Sequence, residues 1–105
     1  MNKSIVMIVT AMAFGLATSA HAAVDEAKAK ALAQAKNCFS CHAVDKKLVG
    51  PSVQDIGKKY DDGQLNALAQ KVIKGSSGVW GPIPMPPNPV SEAEAKTLVE
   101  WILSM

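Results

Sequence analysis

Cys38, Cys41 and His42 lie within the six residues "NCFSCH", and they comprise both cysteines and one of the two histidines of a 105-residue chain. Two thiols three positions apart, followed at once by an imidazole, admit three chemistries. A disulfide between them would close a very small loop and constrain the unfolded chain little, so the pair makes a poor staple. A thioredoxin-like dithiol needs a βαβ context around C-x-x-C, and the sequence after residue 22 offers no strand-like run. C-x-x-C-H is also the attachment signature of c-type haem, in which the two thiols add across two vinyl groups and the next imidazole reaches the iron. On that reading Cys38 and Cys41 are the thioether cysteines and His42 is an axial ligand.

A second axial ligand would make the motif specific. Beyond residue 22 the methionines are Met85 and the terminal Met105. Met85 sits in "GVWGPIPMPPNPV", where the five prolines from Pro82 to Pro89 fix φ at each ring and remove amide donors. Such a segment reads as a stiff, extended, polyproline-like loop. A lone methionine is often core filler, and a proline-rich stretch can be a docking ligand for an aromatic groove. Beside the cysteine motif, Met85 reads instead as the second iron ligand. His/Met ligation would fill both axial positions and raise the reduction potential, which implies electron transfer rather than oxygen or peroxide chemistry. The same four side chains could also hold copper or zinc, a reading that an absence of haem absorption would favour.

The elements that must carry these residues read as helices. "VDEAKAKALAQAKN" has Asp25 as N-cap, with acids early and lysines late. A loop with the turn signal Gly50-Pro51 follows, then a short helical piece from Ser52 to Lys59. Leu65, Leu68, Ala69, Val72 and Ile73 share one face of a third helix that ends at Gly75 as its C′ residue. Ser91 and Glu94 form an S-x-x-E capping box ahead of a last helix, on which Ala95, Leu98, Val99 and Ile102 recur at helical spacing. Trp101 is expected to pack where this helix crosses the first.

The opening "MNKSIVMIVTAMAFGLATSAHA" reads as a secretory signal peptide: a basic start, a short apolar run and an A-x-A cleavage site. Residues 1–22 would be removed, leaving one domain over residues 23–105 in the periplasm. Lys3 is the only charge lost, so Lys+Arg falls from 11 to 10 against 9 Asp+Glu. A near-neutral chain without arginine is a poor nucleic-acid binder, and with the apolar run cleaved it keeps no membrane anchor. No carboxylate pair and no Gly-rich phosphate loop marks an active site, so no enzyme is expected. A domain this small, with only Phe39, Tyr60, Trp80 and Trp101 as aromatics, is short of core bulk and needs some other staple.

With these features assembled, the chain closely resembles the small bacterial class I cytochromes c of the c-551/c-552 (c8) type. The resemblance spans essentially residues 23–105 and is carried by "CFSCHAVDKKLVGPS", "GSSGVWGPIPMPPN" and "SEAEAKTLVEWILSM". It implies an all-α cytochrome c fold of four to five short helices around one covalent haem c, with His42 and Met85 on the iron. It further implies that the Pro51 carbonyl accepts a hydrogen bond from the His42 ring and that the Trp80 indole N–H reaches a haem propionate. Asn88 would hydrogen-bond near the Met85 sulfur. Lys71 stands where some relatives have a propionate-binding arginine, and a lysine lacks that bidentate fork. The implied protein is a monomeric electron carrier between redox partners, with Lys36, Lys46 and Lys47 around the attachment motif as candidates for steering acidic partners.

Overall fold

The computed structural model describes residues 24–105, so the expected signal peptide, residues 1–22, lies outside the described residues. Four helices form among the described residues: α1 (Glu26–Ala35), α2 (Val53–Lys59), α3 (Leu65–Lys74) and α4 (Glu92–Leu103). Single 3-10 turns at Cys38–Ser40 and Asp62–Gln64 complete the regular structure. No strand forms among the described residues; backbone pairing there is limited to isolated bridges, His42 with Lys47 and Ser76 with Met85.

The helix starts follow the sequence. Asp25 accepts from the Lys28 N–H at 3.0 Å, and Ser52 Oγ from the Asp55 N–H at 3.0 Å. Both halves of the Ser91/Glu94 capping box are made, at 3.1 and 2.9 Å. Each satisfies N-terminal amides that a helix cannot pair internally. Gly75 ends α3 one place earlier than expected, at the C-cap, with φ +86° and an extended ψ in place of the left-handed C′ conformation. The reason is the loop beyond it: a Cβ on Gly75 would stand 2.6 Å from the Met85 carbonyl oxygen.

Helix α4 is the hub and packs against each of the other three. Ala29, Ala33, Val53, Leu98 and Trp101 bury together at the α1/α4 side, and Leu68, Ala69, Ala95 and Val99 at the α3/α4 side. Trp101 does pack at the α1 crossing, with the Phe39 ring edge-to-face at 6.2 Å. Its indole N–H is buried without a hydrogen-bond partner. Helix α2 meets α4 at Gly57, where any Cβ would strike the Ile102 carbonyl oxygen.

That crossing makes Gly57→Ala a test of the packing. Backbone has no rotamer to yield, so the variant should lose about 1–3 kcal/mol of stability by overpacking, read as a lower denaturant midpoint. Glu94 gives a pH test. The Ser91 backbone N–H, and less strongly the Lys36 ammonium, hold its carboxyl below the usual carboxylate range. A depressed pKa adds stability above the ordinary carboxylate pKa and loses it as pH falls through the folded value. Glu94→Gln should therefore lower stability slightly at neutral pH and make the acid limb of the stability curve shallower, the variant and wild-type curves converging at low pH.

Candidate haem site

Cys38 opens a 3-10 turn entered through Asn37 in the left-handed conformation, φ 62°. The Cys41 and His42 amides both donate back to the Cys38 carbonyl, at 3.2 and 3.0 Å, which winds C-x-x-C-H into one tight turn. Both thiols are free, and burial pushes the Cys38 thiol upward. The chain then folds beneath His42. The Val53 and Gln54 amides, unpaired at the start of α2, donate to the carbonyls of Ala43 and Val44 at 2.9 and 3.0 Å. The same helix start fixes Pro51, whose carbonyl lies 2.7 Å from His42 Nδ1.

A carbonyl oxygen can only accept, so the neutral imidazole carries its proton on Nδ1 and leaves the Nε2 lone pair for a metal. Gly50 makes this approach possible. A Cβ there would fall 2.6 Å from His42 Cε1 and 2.9 Å from Nδ1. The sequence marks Gly50-Pro51 only as a turn; glycine ahead of proline is the signal, and its steric purpose appears only when the imidazole lies against it.

Met85 is held by its backbone. Its amide donates to the Ser76 carbonyl at 2.7 Å, and its carbonyl accepts from the Ser76 amide at 3.0 Å, closing residues 76–85 into a loop. Asn88 then fastens the loop to α3. Its backbone amide donates to the Ile73 carbonyl at 3.2 Å, and its side-chain amide to the carbonyls of Val72 at 2.9 Å and Pro86 at 3.2 Å. The side-chain amide is thereby engaged by two backbone carbonyls. The amide thus lies beside the Met85 segment and serves an open C-terminal carbonyl of α3.

One cavity of about 870 Å³ brings these segments together. Cys38, Cys41, His42, Pro51, Lys71, Trp80, Met85 and Asn88 all line it, against an apolar wall that includes Leu68, Leu98 and Trp101. That volume lies within the roughly 300–1,000 Å³ of compact ligand sites. No aspartate or glutamate is among the lining residues, whereas Lys36, Lys47 and Lys71 are. Two thiols, an imidazole with a free Nε2, a thioether, an apolar wall and positive charge fit an apolar macrocycle that carries an iron and acidic side arms.

Comparison with known proteins agrees. The family model for cytochrome c matches residues 26–105. The chain belongs to the cytochrome c family. Cytochrome c-551 of Azotobacter vinelandii is 57% identical over 75 residues, covering 70% of this chain and 92% of the relative. Cytochrome c-552 of Nitrosomonas europaea is 54% identical over 77 residues, covering 70% and 75%. The crystal structure of wild-type Nitrosomonas europaea cytochrome c552 aligns with a TM-score of 0.69 at 52% identity, over 71% of this chain and 96% of that one. The protein is thus a class I cytochrome of the c-551/c-552 type, a monohaem electron carrier with one covalent haem c that works with redox partners and is not an enzyme.

Gly50→Ala tests the histidine side of the site. The added methyl should push the imidazole away from the Pro51 carbonyl and destabilise the holoprotein by about 1–3 kcal/mol. Nuclear magnetic resonance should show faster exchange of the His42 Nδ1 proton.

Proposed function

We propose that the chain is exported through a signal peptide, residues 1–22, and works from Ala23 onward as a monomeric periplasmic carrier. In this reading Cys38 and Cys41 carry the thioether bonds, and His42 and Met85 are the axial iron ligands. The donor would be a cytochrome bc1-type complex, and the acceptor a terminal oxidase or nitrite reductase. The single observation that carries the ligand assignment is that Cys38, Cys41, His42 and Met85 face one cavity while Pro51 holds the His42 proton on Nδ1. Export is supported by the A-x-A pattern at residues 20–22. No helix among the described residues is long and apolar enough to cross a membrane.

When bound, the haem supplies a one-electron ferric/ferrous couple. The chain's own residues set its surroundings. Pro51 orients His42 and raises its basicity as a ligand. Ser76 and the prolines hold Met85 in place, so little entropy is lost in forming a weak iron–thioether bond. Leu68, Leu98 and Trp101 exclude water, which favours the less charged reduced state. Lys71 and the Trp80 indole N–H would meet the propionates. Asn88 would act through the position of the loop, by capping α3.

Partners would dock where Leu48, Val49, Val79 and Ile83, all exposed, gather around the cavity. Lys46 and Lys47 are exposed beside them. Lys36 is less available, because its ammonium donates to the Pro89 carbonyl at 3.1 Å.

Visible spectra of protein matured in an oxidising compartment test the reading. Sharp reduced α and β bands are expected, together with the weak far-red ferric band that reports iron–thioether ligation. Met85→Ala should abolish that band, lower the midpoint potential and allow carbon monoxide to bind the reduced protein. An unchanged spectrum and potential in that variant would overturn the ligand assignment.

A further inference from the structure

Lys59, the last residue of α2, places its ammonium 5.5 Å from the ring centroid of Trp80 and 5.9 Å from that of Tyr60. Lys71, on α3, stands 5.8 Å from the same Tyr60 ring. Tyr60, Lys71 and Trp80 line the cavity. A cation within about 6 Å of an aromatic face is drawn to the ring's negative quadrupole. Trp80 needs such a contact: it lies midway along the 76–85 loop and is 41% exposed, so burial alone does not fix its ring. The loop's ends are fastened by the Ser76–Met85 pairing, whereas its middle meets α2 through this cation.

We infer that Lys59 is a positioning residue, whose ammonium, shared by the rings of Tyr60 and Trp80, fixes the Trp80 indole and clamps the loop carrying Met85 onto α2. An indole N–H lies in the ring plane, so a cation on the face leaves it free to donate. Two features support the clamp. Lys59 sits at the C-terminal end of α2, where the helix dipole favours a cation. Tyr60, immediately after it, ends the helix in an extended conformation, φ −118° and ψ 157°, and lies close enough to share the ammonium. The clamp rests on the function proposed above only for what the indole N–H meets; its hold on the loop does not depend on it.

Two variants of the holoprotein separate charge from bulk. Lys59→Met keeps an unbranched apolar stem and removes the cation, and Lys59→Arg keeps the cation. Hydrogen exchange is followed at the Trp80 indole N–H, the Met85 amide and the Trp101 indole N–H. In Lys59→Met the first two should exchange about two- to five-fold faster, the effect of an exposed cation–aromatic contact. Trp101 should be unmoved, and Lys59→Arg should match the wild type. The clamp is overturned by unchanged exchange at Trp80 in Lys59→Met, by equal acceleration at Trp101, or by an arginine variant that behaves like the methionine one. A wild type lacking the far-red ferric band would overturn the Met85 ligand assignment and leave this comparison intact.

Discussion

The site depends on the backbone groups that short helices leave bare. A helix of seven to ten residues has a large share of its amides and carbonyls unpaired at its ends, and those that are half-buried must find partners. In this chain the partners are the site's own segments. The first free amides of α2 take the carbonyls of Ala43 and Val44, directly after His42, and the open carbonyls of Val72 and Ile73 at the end of α3 take Asn88, three residues after Met85. Helix termination and ligand placement are therefore one set of bonds. A change that frays either helix end loosens the residue that faces the cavity.

The core explains why the cavity can stand where it does. Alanines bury at the α1/α4 and α3/α4 contacts, and Leu98, Val99 and Trp101 of α4 bury between them. Small residues let the helices approach closely around α4, but they supply little of the apolar area that holds a domain of this size together. The larger apolar groups, Leu68, Leu98 and Trp101, face the cavity as well as their neighbours. A covalently held macrocycle would thus serve as core as much as cofactor, and folding and binding are linked: whatever binds the folded state alone stabilises it.

Much of this was legible in the sequence. C-x-x-C-H, the proline-rich loop and the S-x-x-E box are local patterns whose chemistry does not depend on distant residues, and the helices they announce form within a residue or two. What escaped reading depends on contacts that spacing cannot express. Gly50 is written as a turn, yet its lack of a side chain serves the imidazole eight residues earlier. Ser76 carries no signal of its pairing with Met85. The grip of Asn88 on the Val72 carbonyl depends on where α3 stops, which spacing does not give. Lys59 enters the sequence only as the end of a short helical piece, and nothing in its spacing brings Trp80 beside it.

The two sides of the site are held with different stiffness, and that asymmetry has a physical consequence. His42 is fixed within its own turn, by a short bond to Pro51 and by steric contact over Gly50, with sequence separations of eight and nine residues. Met85 hangs on a ten-residue loop whose ends are anchored by two backbone bonds to Ser76 and the grip of Asn88 on α3, and whose middle meets α2 through the exposed Lys59–Trp80 contact. Local opening follows the element with fewer buried contacts and more exposed backbone. In this fold that element is the 76–85 loop, where Val79, Trp80 and Ile83 remain exposed. The methionine side is therefore the one that can yield first, while the histidine side, next to both cysteines, keeps its geometry.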